Sequence, residues 1–141
     1  MNTTQPHPTR TGAALPAWRA GLRWLYLLAA ALIAAAIVVQ VFLAGVAVLA
    51  DPAYWAAHRT MGGLIEMGIL MLLLIGLPTG LPWRVQALGG LLFVLMMLQF
   101  VFLEVMPQLG VPLLRGLHAV NALALFSVAL LLIRSVWRRR G

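Results

Sequence analysis

His58 and His118 are the side chains of this sequence best suited to hold something. Each lies in a long apolar run, where an ionisable group is costly and counts as a functional candidate. His58 follows closely on Tyr54-Trp55, and His118 follows Pro112 by six residues. At about 1.5 Å of rise per residue, both sit within roughly 10 Å of the same boundary of the apolar layer. Two neutral imidazoles at matching depth, facing into a helix bundle, meet the needs of axial haem coordination. The iron takes nitrogen ligands on opposite sides, and facing helices leave a slot for a flat macrocycle. The same two residues serve as well for interhelical hydrogen bonding.

Their neighbours admit the same pair of uses. Gly62 lies one turn below His58 with Gly63 beside it, and Ala122 lies one turn below His118. Small residues there leave room for a porphyrin edge, or simply let helices pack closely. Arg59 and Arg115 stand near the boundary, placed for outward-facing haem propionates, for anchoring at headgroup level or, for Arg115, for pairing with Glu104. Asn121, one turn from His118, can bond a propionate or a backbone carbonyl. Glu66 lies deeper, two turns below His58. A carboxyl at that depth is protonated or hydrogen-bonded, with Gln40 and Gln99 as candidate partners. It acts as a proton acceptor or as a neutral acid fixing helix contacts. Cysteine is absent, which excludes disulfides, thiolate metal sites and iron–sulfur clusters. No serine–histidine–acid set, phosphate loop or metal cluster of the usual spacing is present, so hydrolase and transferase chemistry has no support.

The elements that position these residues are set by hydropathy. Of 141 residues, 63% are hydrophobic and 9% charged, against roughly 25% charged in an average globular protein. A bilayer core needs about 20 apolar residues in a helix. Four runs reach that length, at about 22–50, 54–77, 85–106 and 111–138. The expected fold is therefore an all-α integral membrane protein, an antiparallel up-down bundle of four transmembrane helices. Residues 1–20 read as a disordered cytoplasmic tail and 21–141 as the membrane domain. Asp51-Pro52 is a helix-start signal, residues 78–84 make one tight turn, and Pro107, Gly110 and Pro112 make another.

The net charge of +7 is explained by where the arginines fall. Arg10, Arg19, Arg23, Arg84, Arg134, Arg138, Arg139 and Arg140 share one side of a four-pass chain. Arg59 and Arg115 take the other side, with Asp51 and Glu104. This bias puts both termini in the cytoplasm and leaves no call for nucleic acid as a partner. The first run is too long for a signal peptide and reads as a retained helix. The halves also repeat. Gln40 precedes Phe42-Leu43 and His58 as Gln99 precedes Phe102-Leu103 and His118, with Gln-to-His spacings of 18 and 19 residues. Two parallel hairpin repeats about an axis along the membrane normal would place both histidines on the same side.

The stretch from His58 to Gly62, with Leu117-His118-Ala119-Val120-Asn121-Ala122-Leu123, resembles a family of small uncharacterised bacterial four-helix membrane proteins. More remotely, it is similar to one four-helix half of haem A synthase, over about 23–140. That likeness implies one b-type haem on the outer side with His58 and His118 as axial ligands. The synthase half that performs chemistry carries a glutamate one turn before its first histidine, where this chain has Trp55. The synthase's extracytoplasmic cysteine pair and second bundle have no counterpart here, so synthase activity is not implied.

The expected function is haem b binding by paired histidines in a multi-pass protein of the bacterial cytoplasmic (inner) membrane. Such a protein would serve as an electron-transfer or haem-handling component, with a redox or membrane-complex partner or as a homo-oligomer. The alternative is a cofactor-free accessory or assembly subunit of a larger membrane complex. A transporter stands third, since four short helices with one buried acid offer little for a pathway.

Overall fold

A computed structural model describes residues 16–138, and no strand occurs among them. Four helices are long and apolar enough to cross a membrane: Ala17–Leu49, Tyr54–Thr79, Trp83–Gln108 and Pro112–Trp137. They are called the first to fourth helices below. In lipid each backbone N–H and C=O must be satisfied within its own segment, so apolar runs of this length become helices.

The first helix starts at Ala17, inside the stretch read as tail, with Pro16 in an extended conformation at its N-cap. Proline is suited to a helix entry because it has no N–H to leave unpaired. Residues 1–15 of the expected tail lie outside the described residues. Asp51 does not cap the second helix as its sequence suggests: its carboxylate accepts from the Ala53 N–H at 2.9 Å, closing a turn ahead of the helix, whose N-cap is Ala53 without a side-chain bond. Regular helix begins at Tyr54, two residues later than Pro52. The third helix is interrupted. Trp83–Phe100 is α-helical, Val101–Val105 is π-helical, and Met106–Gln108 returns to α. The fourth opens with a 3-10 turn at Pro112–Gly116 before Leu117–Trp137.

One face of each helix meets the others at helical spacing. The buried sets are Tyr26, Ala30, Ile33 and Ile37; Ile65, Ile69 and Leu72; Val85, Leu92 and Met96; and Leu125, Val128, Leu132 and Val136. The opposite faces are as apolar: Leu32, Phe42, Leu64, Val94, Leu123 and Leu131 are all exposed. Water does not tolerate a continuous apolar surface of this kind, whereas lipid does. The first helix packs against the second and fourth, and so does the third. The second and fourth therefore stand at opposite corners.

At the end carrying Arg23, the turn between the second and third helices is tied to the first. Arg23 donates from Nε to the Thr79 carbonyl and from Nη2 to the Gly80 carbonyl, both at 3.1 Å. Gly80 has φ 64°, a left-handed conformation that glycine adopts without a Cβ penalty. Tyr26, 1% exposed, wedges its ring beside Gly76 and Gly89. Trp24 meets Trp137 edge-on at 6.4 Å between ring centroids, which brings the start of the first helix beside the end of the fourth.

Candidate functional site

The two histidines meet across the bundle. Although they belong to helices at opposite corners, their ring centroids lie 6.2 Å apart with 65° between planes. His58 is oriented by its neighbours. Its Nδ1–H donates to the backbone carbonyl of Gln40 at 3.1 Å, and Trp55 stands edge-on to it at 5.2 Å. Because a carbonyl only accepts, that bond fixes the proton on Nδ1 and leaves the Nε2 lone pair free to bind a metal. His118 differs: its Nδ1 is buried with no hydrogen-bond partner.

Two glutamines complete a layer. The side-chain carbonyls of Gln40 and Gln99 are both buried and unpartnered. Gln40 is level with His58 through the bond just described. Gln99 is bracketed by two contacts between the third and fourth helices. Asn121 Nδ2 donates to the Leu95 carbonyl at 2.7 Å, and Arg115 Nε donates to the Leu103 carbonyl at 3.2 Å. Gln99 lies one turn beyond Leu95, and His118 one turn short of Asn121, so these two share a level. Each helix thus contributes one polar side chain to a single layer: Gln40, His58, Gln99 and His118. Three orphaned polar atoms lie there, each costing about 1–3 kcal/mol when left unsatisfied. Native interiors rarely leave such groups unpaired without a ligand, ion or water nearby.

The other sequence-marked residues divide. Asn121 is buried and spends its amide on the Leu95 carbonyl, the second of its two expected uses. Arg115 reaches the Leu103 carbonyl rather than the Glu104 carboxylate. Arg59 is exposed on the second helix. Gly62 does not open onto a bare slot, because a Cβ there would meet Gln40 Nε2 at 3.1 Å. Its missing side chain makes room for the Gln40 amide. Ala122 does leave space: with Val38, Phe42 and Phe126 it lines an apolar groove of about 340 Å³ between the first and fourth helices. Glu66 is half-buried and bonds to neither Gln40 nor Gln99. Those two glutamines, read from the sequence as partners for Glu66 and as markers of the repeat, instead join the histidines. Their matched spacing to the histidines was the available signal.

No group of three or more His, Cys, Asp or Glu that could hold a metal ion occurs among the described residues. Two imidazoles without a third protein donor make a poor cage for a bare divalent ion. They do suit an iron whose remaining four positions are filled by a macrocycle.

Residues 40–105 match the profile of a family of unknown function, DUF6220. The match takes in Gln40, His58 and Gln99 and stops before the fourth helix. No curated protein and no solved structure matches the chain.

Proposed function

We propose that this protein binds one haem b between His58 and His118 and serves as an electron-transfer or haem-handling component of a membrane system. The observation that carries the reading is the 6.2 Å separation of two imidazoles reaching in from opposite corners. Imidazoles that hold one metal ion between them would have ring centres roughly 6 Å apart, so His58 and His118 are the residues that would hold the haem. The set tautomer of His58 and the orphaned Nδ1 of His118 fit the same role. Gln99 Oε1, level with that Nδ1 and equally unpartnered, is the acceptor that would orient His118 as the Gln40 carbonyl orients His58. Arg59 and Arg115 lie at the same end, where propionates would be neutralised. Haem so held supplies a one-electron couple. Because it would lie near one face, electron transfer across the whole membrane needs a partner protein or a second copy.

The reading rests on an up-down bundle of two hairpin repeats. The pairs Tyr26–Gly76, Ile33–Gly68 and Gln40–Gly62 descend one helix while climbing the other. The extra residue between Gln99 and His118 falls where the third helix is π-helical. Such a turn takes up one more residue than an α turn, and π turns recur at functional sites. The arginine bias supports a histidine end outside and termini in the cytoplasm of a bacterial inner membrane.

One feature favours the cofactor-free accessory reading: the Gln40 amide already fills the face of Gly62. Absorption spectroscopy separates the two. Protein purified from haem-replete cells is expected to show a sharp Soret band and b-type reduced-minus-oxidised peaks, lost in both His58→Ala and His118→Ala. A colourless wild-type protein, co-purifying in a stable complex, would establish the accessory role instead.

A further inference from the structure

A second feature lies at the opposite end of the bundle and is independent of the histidine layer. A concavity of about 490 Å³ opens between the third and fourth helices, lined by Arg84, Val85 and Leu88 from one and Ser135 and Arg138 from the other. That size falls within the about 300–1,000 Å³ of small-molecule sites. Two guanidinium groups and one hydroxyl line it, and among the described residues no carboxylate lines it with them. The chain has three acids, Asp51, Glu66 and Glu104; two flank the histidine end and the third lies mid-helix. Arg84 also stands over the Trp83 ring at 5.7 Å. Below the charges the lining is apolar, with Val85 buried and Leu88 half-buried. Trp83 and Trp137, next in sequence to the two arginines, stand exposed, as indoles do at headgroup level.

We propose that this concavity binds the headgroup of an anionic phospholipid from the leaflet at the chain-end face. Arg84 and Arg138 pair with the phosphodiester oxygens, the Ser135 hydroxyl donates to one of them, and Val85 and Leu88 carry the glycerol and first acyl carbons. Guanidinium groups match phosphate oxygens in geometry as well as charge. A free phosphate would satisfy the arginines and leave the apolar part of the lining wet; a lipid covers both.

The test is native mass spectrometry of the full chain, titrated with dioleoyl phosphatidylglycerol against dioleoyl phosphatidylcholine. Wild type is expected to retain the anionic lipid preferentially. Arg84→Gln and Arg138→Gln should each reduce that preference more than about tenfold, the loss of a hydrogen bond between charged groups, against about fivefold for diffuse charge at an anionic surface. Ser135→Ala, which alters no charge, should reduce it by a smaller factor in a protein of unchanged helicity. Arg134→Gln is the decisive comparison, because Arg134 is exposed at the same end but does not line the concavity. An equal loss in Arg134→Gln would reduce the effect to diffuse charge and overturn the site. So would a wild type without preference. Displacement of the lipid by millimolar inorganic phosphate would reassign the concavity to a free anion.

Discussion

Substituting Gly89 by alanine tests how the first, second and third helices close around Tyr26. A Cβ at Gly89 would lie 2.9 Å from the Tyr26 hydroxyl and 3.4 Å from Leu73 Cδ2. The ring is 1% exposed and touches both the second and the third helix. Overpacking of this kind costs about 1–3 kcal/mol, and the better helix propensity of alanine returns about 1 kcal/mol at most. Net destabilisation of about 1 kcal/mol is expected. The contact is with the hydroxyl, so Tyr26→Phe removes it, and Gly89→Ala in that background should be neutral or stabilising. At Gly76 the outcome differs. A Cβ there meets Tyr26 Cε2 at 2.9 Å and Gln86 Oε1 at 3.1 Å, and phenylalanine keeps the carbon. Tyr26→Phe should therefore rescue Gly89→Ala and leave Gly76→Ala destabilised. Reversible unfolding in mixed micelles, followed by tryptophan fluorescence, gives both double-mutant cycles. Coupling of about 1–3 kcal/mol at Gly89 and under about 0.5 kcal/mol at Gly76 is the expected result. Equal couplings, or none at Gly89, would refute the described seat of the ring.

Asn121→Leu breaks the 2.7 Å bond to the Leu95 carbonyl and should lower stability by about 0.6–1.7 kcal/mol, the range for interhelical hydrogen bonds in membranes; the same unfolding assay reads it. Gly80→Ala forces a side chain onto φ 64° and should cost about 1–2 kcal/mol, with Gly80→Asn closer to wild type. In haem-free protein, Gln99→Leu removes a buried carbonyl that has no partner and should leave the melting temperature unchanged or higher. A loss above about 1 kcal/mol would mean that the amide is bonded.

What the sequence determined by itself is additive along the chain. The transfer free energies of four apolar runs sum segment by segment, so their number, length and helical character were legible without coordinates. His58 and His118 were legible because an imidazole in an apolar run is conspicuous wherever the helix points. The Asp51-Pro52 turn and the glycine turn near Gly80 are equally local. Rotation of each helix about its own axis was not legible. In water an amphipathic pattern tells the inward face from the outward one, but here Leu32 and Phe42 outside are as apolar as Ile33 and Ile37 inside. Packing alone makes that choice, through close approaches such as Tyr26 against Gly76 and Gly89. The tertiary structure therefore decided that Gln40 and Gln99 join the histidine layer, that Asn121 and Arg115 spend their donors on carbonyls, and that Arg84 and Arg138 line one concavity. Each is a matter of which residues two separate helices bring face to face, and no single apolar run carries that information.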